Sequence, residues 1–166
     1  MSVLASESQS GGKIDPNAEI VAVDPEFSLI VPKIGANSKV VPDVDPYDSF
    51  IYQKELTKGV AHAKGTVYPG EIGNSFYFAH SSDNFYNANR YNSVFYLLNK
   101  LEKDDVFYFV YKENVFKYTV LEVKLVSADS VNYITGVTDR KLATLMTCWP
   151  AGTTLQRLVV VGELAE

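Results

Sequence analysis

The sequence predicts a mainly β fold, an eight-stranded barrel with two or so short helices. Aromatic residues are plentiful, with eleven Tyr and nine Phe in 166 residues, and such side chains suit the half-buried surface of a pleated sheet. From Glu19 onward, short apolar runs are separated by Pro, Gly and Asn, as expected of strands joined by turns. About eight strands at such close intervals favour a closed or nearly closed barrel.

The predicted strands follow from their apolar runs and from the residues that interrupt them. Pro32 has no amide hydrogen to donate to a ladder, so we expect it at a sheet edge or at a strand end. Lys112-Glu-Asn114 separates two strands and predicts a hairpin with Asn114 in a left-handed turn position. Seven of the about eight predicted strands have assigned bounds, which in chain order are 28–34, 39–41, 75–79, 106–111, 115–126, 141–148 and 155–164.

Two segments carry a helical pattern. Residues 48–57 are short and amphipathic, with Phe50, Ile51 and Leu56 at roughly helical spacing. Tyr91, Phe95, Leu98 and Leu101 recur at i, i+4, i+7 and i+10, which is one face of a helix with 3.6 residues per turn. The sequence therefore predicts a helix after each of the first two groups of strands.

Composition excludes several classes of function. Fifteen Lys and Arg against twenty Asp and Glu give a formal charge of −5 with no basic run, so nucleic acids and anionic membrane surfaces are poor partners. One cysteine allows no intramolecular disulfide and no Cys-rich metal site. We therefore expect no structural metal.

The amino-terminal residues have a composition unlike the rest. Residues 1–18 are small and polar and include Gly11-Gly12, so we expect a flexible leader or a cloning remnant before one domain at 19–166. The start has no apolar segment typical of a signal peptide. Nor does the chain contain a run of about 18 apolar residues, the length a membrane helix needs. Any membrane anchor is expected in a segment outside this chain.

The single cysteine lies where a loop leaves a sheet. Cys148 ends an apolar run and directly precedes Trp149-Pro150, and loops at the rim of a sheet commonly carry sites. A lone cysteine is more often an inert, buried small side chain. A nucleophilic role requires a neighbouring base and a cation, because the thiolate is the reactive species.

The candidate bases and cations are few. His62 lies in a glycine-bounded segment, whereas His80 follows an apolar strand and so ends it, as Cys148 does. Taken singly, either histidine is more often structural or solvated than catalytic. Strand alternation puts Arg157 on one face with apolar neighbours. Arg157 is therefore either a salt-bridged rim residue or a guanidinium that stabilises a developing oxyanion.

Several segments together resemble the sortase family. The specific match is Thr-Leu-x-Thr-Cys at 144–148, followed after a short loop by a strand that bears Arg157. Supporting matches extend the resemblance over about 28–164. They are Leu29-Ile-Val-Pro-Lys-Ile-Gly35, Gly59-Val-Ala-His-Ala-Lys-Gly-Thr66, Pro69-Gly70, Gly73-Asn74 and Arg90-Tyr-Asn-Ser-Val-Phe95.

The resemblance implies a sortase-like barrel that acts as a cysteine transpeptidase. Cys148 would attack an LPxTG-like sorting signal and hold the acyl fragment as a thioester. His80 would serve as the acid and base, and Arg157 would hold the oxyanion or the substrate backbone. His62 falls where many sortases carry a histidine that is not catalytic. The family works without a metal or an organic cofactor.

The resemblance also implies the surroundings of the reaction. Thr147, Ala79 and Ser81 would contact the substrate beside the catalytic residues; many relatives have Gly-His-Arg where this chain has Ala79-His80-Ser81. The expected partners are the sorting-signal peptide of a secreted protein and an amine of peptidoglycan or pilin. The domain is expected to be monomeric and to lie at the extracytoplasmic face of a bacterial membrane.

Two other functions fit the same residues. A non-catalytic β-barrel surface or adhesion module would keep the scaffold, although the complete set of Cys148, His80 and Arg157 argues for turnover. A simple cysteine peptidase would release the acyl group to water, and the sequence does not separate hydrolysis from transfer. Transfer is the hypothesis that the resemblance favours.

Overall fold

The computed structural model describes residues 2–4, 19–56, 58–80, 95–128, 137–150 and 155–165. Within these ranges the chain forms one α-helix, α1 (Ser49–Leu56), and ten strands. The strands are β1 (Ser2–Leu4), β2 (Glu19–Val21), β3 (Phe27–Val31), β4 (Ala36–Val44), β5 (Val60–Ala63), β6 (Gly73–Phe78), β7 (Val106–Tyr111), β8 (Asn114–Ser127), β9 (Lys141–Trp149) and β10 (Gln156–Leu164).

Eight of these strands close into a barrel, which confirms the predicted fold class. The order around the barrel is β10-β8-β7-β3-β4-β5-β6-β9, and β9 pairs with β10 to complete the ring. Six of the pairings are antiparallel, whereas β4–β5 and β6–β9 are parallel. Parallel neighbours need a crossover connection, and α1 lies in the connection from β4 to β5. The short helix predicted at 48–57 is therefore confirmed.

The second predicted helix is wrong over the described residues. Tyr91 lies outside them, and after Phe95 the chain forms only a 3-10 helix at Leu98–Lys100 before becoming extended at Leu101. The backbone bonds here join residues three apart: Leu98 N–H to Phe95 O, and Leu101 N–H to Leu98 O. Phe95, Leu98 and Leu101 are three residues apart, which matches the 3.0-residue turn of a 3-10 helix. All three side chains are buried, as the apolar pattern predicted.

The hairpin between β7 and β8 is confirmed, but its turn residues are not the predicted ones. Tyr111 pairs with Asn114, so only two residues remain in the turn. Lys112 and Glu113 take the left-handed conformation, with φ of 49° and 67°. A two-residue hairpin loop favours a turn in which both central residues have positive φ. Asn114 is therefore the first strand residue and not the left-handed one.

A small sheet lies before the barrel in the sequence. Ser2–Leu4 pairs antiparallel with Glu19–Val21, so this part of the predicted leader forms a strand. The Asn37 side chain accepts from Val23 N–H at 3.1 Å and donates to Val21 O at 2.8 Å, which fixes the segment against β4. Residues 5–18 lie outside the described ranges, so the rest of the predicted leader stays a prediction.

Aromatic side chains fill the barrel. The ring of Tyr77 stacks on Phe109 at 4.2 Å between centroids, and Phe107 stacks on Tyr118 at 5.7 Å. Ser75 and Tyr77 share a hydrogen bond between their hydroxyls, so they lie on the same side of β6. Because side chains alternate along a strand, Phe76 and Phe78 lie on the other, outer face of the barrel wall, where they are also buried. His80, two residues after Phe78, lies on the same face of the wall as Phe76 and Phe78.

His62 belongs to the buried interior. It lies opposite Tyr77 in the β5–β6 pairing, has no exposed surface, and stacks on Tyr68 at 4.5 Å. Its Nε2 lies 2.8 Å from Val67 O, and its Nδ1 accepts from Asp43 N–H at 3.4 Å. Burial lowers the pKa of His62 below its ordinary value of about 6.5, and the Val67 carbonyl and nearby Asp43 only partly oppose this effect. The imidazole is therefore neutral in the folded protein at pH 7.

This burial predicts a pH dependence of stability. The unfolded chain binds a proton at His62 near pH 6.5 while the folded protein does not, so the free energy of unfolding should fall as pH falls below about 6.5. One group contributes at most about 1.4 kcal/mol per pH unit. Urea denaturation at several pH values between about 7 and 5.5 measures the slope.

The matched control is His62→Gln, whose amide keeps a donor for Val67 O but does not titrate. The variant should be less stable at pH 7 and should show a shallower pH dependence than the wild type. Equal slopes in the two proteins would contradict a buried neutral imidazole.

Candidate functional site

Cys148 and Arg157 are direct neighbours across two strands. Cys148 lies near the end of β9, Arg157 lies near the start of β10, and the two residues pair in the antiparallel register. Directly opposite residues project from the same face of a sheet, with Cβ atoms about 5 Å apart. The Cys148 side chain is half-buried and carries a free thiol. The predicted nucleophile and the predicted cation therefore share one face.

His80 reaches the same level from the other side of β9. β6 runs parallel to β9, and the last pair in their ladder is Phe78 with Met146. The strands stay adjacent beyond it, because Ala79 N–H donates to Met146 O at 3.2 Å. Two residues further along each strand are His80 and Cys148. Neighbouring strands lie about 4.8 Å apart, so the two residues are side by side.

The register therefore brings three predicted site residues together. Cys148 and Arg157 lie near the adjoining ends of β9 and β10, and His80 lies at the same level two residues past the end of β6, at one rim of the barrel. All three are partly exposed. This grouping combines a thiol, an imidazole and a guanidinium, which are a nucleophile, a proton carrier and a hydrogen-bond donor to an anion. Their catalytic roles stay predictions.

The other predicted site residues flank this group. Thr147 is only 2% exposed, and its hydroxyl donates to Ala79 O at 2.8 Å. Ala79 is also buried. Both side chains therefore lie on the inner side of the wall, behind His80 and Cys148, and offer little surface to a substrate. Ser81 lies outside the described residues, and the predicted substrate contacts of these three residues stay predictions.

His62 does not belong to the rim group. Its ring lies among the interior aromatic side chains Tyr68 and Tyr77. Cys148 lies on the opposite, outer face of the barrel wall. The two histidines of the chain are therefore separated by the barrel wall, and His80 is the one available to the sulfur. This agrees with the expectation that His62 is not catalytic.

Two further hydrogen bonds, which the sequence did not predict, join segments near the site and along the β6–β9 pair. Phe95 N–H donates to His80 O at 3.3 Å, so the chain returns to the rim after residues 81–94. At the start of the β6–β9 pair, Thr144 Oγ1 donates to Asn74 Oδ1 at 2.8 Å. Both depend on contacts between segments distant in the sequence, and no local pattern signals them.

The described ranges also bear on metal binding and on membrane spanning. In that part of the chain no group of three His, Cys, Asp or Glu side chains is arranged to hold a metal ion. Of the helices in the same ranges, none has the length and apolar character that crossing a bilayer requires.

The barrel and its rim have counterparts in known proteins. Sortase D of Bacillus subtilis is 28% identical over 138 residues, which cover 81% of this chain and 61% of the relative. This chain thus spans about three fifths of that relative's length. Among solved structures, sortase C-1 of Actinomyces oris superposes with a TM-score of 0.72 at 29% identity, covering 87% of this chain and 76% of that one.

A second solved structure is also informative. The X-ray structure of Clostridium perfringens sortase C with the C-terminal cell wall sorting motif has a TM-score of 0.69 at 28% identity, covering 84% of this chain and 69% of that one. The model of the Sortase family, described as the sortase domain, matches residues 29–165. This match takes in every strand of the barrel except the first two residues of β3. The chain belongs to the sortase family.

Proposed function

We propose that this protein is a cysteine transpeptidase that cleaves a sorting signal through a thioester on Cys148 and transfers the acyl fragment to an amine. The observation that carries the proposal is the alignment of His80, Cys148 and Arg157 at one rim. Membership of the sortase family supports the same reaction class. A thiol grouped with a base and a cation is the arrangement that nucleophilic catalysis needs.

The reaction divides into two acyl transfers. The Cys148 thiolate attacks the scissile carbonyl, and the bond between that carbon and the leaving nitrogen breaks as the imidazolium of His80 gives the nitrogen a proton. An amine then attacks the thioester, His80 takes its proton, and the sulfur leaves as thiolate. In both steps the carbonyl oxygen becomes negative for a moment, and the Arg157 guanidinium is the donor that stabilises it.

The proposed substrate is an LPxTG-like segment of a secreted protein, and the proposed acceptor is an amine of peptidoglycan or pilin. Support for a sorting peptide comes from the similar Clostridium perfringens sortase C, whose structure contains a C-terminal cell wall sorting motif. A peptide in extended conformation would lie against the rim where His80, Cys148 and Arg157 are partly exposed. The proposed location is the extracytoplasmic face of a bacterial membrane.

The thioester is directly testable because Cys148 is the only cysteine in the chain. Incubation with an LPxTG peptide should add the mass of the acyl fragment to Cys148, as located by mass spectrometry of the digested protein. Cys148→Ala should give no adduct while its unfolding midpoint stays close to that of the wild type, since the side chain is small and lies at the rim.

The same experiment distinguishes transfer from hydrolysis. Hydroxylamine should divert the acyl fragment from the acid to a hydroxamate, and a peptide with an amino-terminal glycine should divert it to an amide. Product acid that does not decrease as the amine concentration rises would identify a simple peptidase. Labelling of another residue, or an unchanged adduct in Cys148→Ala, would contradict the proposed nucleophile.

The role of Arg157 predicts a loss in the chemical step. Arg157→Lys keeps the charge but loses the planar fork of donors, so the rate constant of acyl-enzyme formation should fall by about 10². Peptide affinity should change far less. Single-turnover kinetics over a range of peptide concentrations separate the two quantities.

Arg140→Lys is a suitable control for this experiment. Arg140 donates two hydrogen bonds to Glu163, at 2.9 and 2.7 Å, near the opposite ends of β9 and β10. The substitution also disrupts a guanidinium fork, but it is far from the rim. Arg140→Lys should keep the wild-type acylation rate, and an equal loss in both variants would assign the effect to general stability.

A further inference from the structure

We propose that Thr147 is a positioning residue, whose buried hydroxyl holds His80 and Cys148 at their working separation. The proposal deepens the proposed function and rests on it. Thr147 precedes Cys148 in the chain, Ala79 precedes His80, and the bond from Thr147 Oγ1 to Ala79 O is 2.8 Å long. One hydrogen bond thus joins the residue before the base to the residue before the nucleophile.

This bond lies where the regular ladder stops. The β6–β9 pairing extends from Gly73 with Lys141 to Phe78 with Met146. Beyond the last pair, Ala79 N–H donates to Met146 O, and Ala79 O accepts from the Thr147 hydroxyl. The Thr147 side chain therefore continues the hydrogen bonding between the two chain segments by one more residue, Ala79. Ala79 is adjacent to His80.

The far side of His80 is also fixed. Its carbonyl oxygen accepts from Phe95 N–H at 3.3 Å, and the Phe95 side chain is fully buried in the core. The backbone of residues 79–80 is thus held by β9 on one side and by the returning chain on the other. Loss of the Thr147 bond would release the side that faces Cys148.

Burial determines what Thr147 can do. With 2% of its surface exposed and its hydroxyl directed at Ala79 O, the side chain points into the barrel while Cys148 points outward. This orientation does not allow Thr147 to contact the substrate directly. It does allow Thr147 to act on the backbone of Ala79, and a displacement of Ala79 moves the imidazole of the next residue, His80.

The same strand pair offers a matched control. Thr144 is also on β9, is 1% exposed, and donates to the Asn74 side chain at 2.8 Å. Both threonines use a buried hydroxyl to join β9 to the chain of β6 and the residue after it, but Thr144 pairs with Phe76 and precedes Cys148 by four residues, about 13 Å along the strand. Thr144→Val and Thr147→Val remove the same chemical group, and each withdraws one hydrogen bond that joins β9 to the neighbouring segment.

The experiment measures two properties of Thr147→Val, Thr147→Ser, Thr144→Val and His80→Gln beside the wild type. The first is the rate of Cys148 alkylation by iodoacetamide between about pH 5 and pH 9, which covers the ordinary titration of an imidazole and a thiol. This readout needs no substrate, and the single cysteine makes it specific. The second is the single-turnover rate of acylation by an LPxTG peptide.

Thr147→Val should shift the alkylation profile most of the way toward that of His80→Gln. Its acylation rate should fall about tenfold to a hundredfold with little change in the peptide concentration at half-saturation, since a small misplacement of a catalytic group has effects of this size. Thr147→Ser restores the hydroxyl and should restore both properties. Thr144→Val should match the wild type in both.

Other outcomes overturn the proposal. These are a wild-type profile in Thr147→Val, and an equal change in Thr144→Val. If Thr147→Val does not fold, Thr147→Ala replaces it. Failure of both to fold, with Thr144→Val folded, would make Thr147 a residue of the fold and not of the site. An alkylation profile that His80→Gln leaves unchanged would refute the proposed function itself.

Discussion

The parallel pairing of β6 with β9 is the constraint on which the site depends. Parallel strands end at the same edge of a sheet, so His80, just past the end of β6, and Cys148, near the end of β9, become neighbours. Had these strands paired antiparallel, His80 and Cys148 would lie at opposite rims. The antiparallel pairing of β9 with β10 acts in the complementary way, because the short connection after Trp149 returns the chain and sets Arg157 opposite Cys148. One parallel and one antiparallel pairing thus bring together side chains from three distant segments.

Alternation along each strand then decides which side chains meet. A slip of one residue in the β6–β9 register would exchange the inner and outer faces of a strand. The register is fixed by groups that tolerate only one face: Tyr77 fills the aromatic interior, and Thr144 and Thr147 each find a partner on β6. The core that stabilises the barrel is therefore the same structure that orients the rim.

Local sequence patterns predicted most of the strands, but they did not predict the features that depend on contacts between distant segments. Apolar runs and interrupting Pro and Gly residues predicted the barrel strands from β3 to β10 closely, except the short β5, because each strand is specified by its own residues. Cys148, His80 and Arg157 were identifiable as strand-end residues, and their meeting followed only from the resemblance. The helix at 91–101 was wrong over its described part because a spacing of three fits more than one helical period. The hydroxyl of Thr147 gave no signal, since its acceptor is 68 residues away.

The two histidines have different environments because their side chains lie on opposite faces of the same barrel wall. They lie on adjacent strands of the sheet, yet one ring faces inward and the other outward. His62, packed against Tyr68 with its nitrogens engaged by backbone groups, has a pKa lowered by burial and stays neutral as part of the core. His80 is partly exposed at the rim. A proton carrier must be accessible and also held in position. For the proposed role of His80, partial exposure meets the first condition, and the hydrogen bonds of the backbone at residues 79 and 80 meet the second.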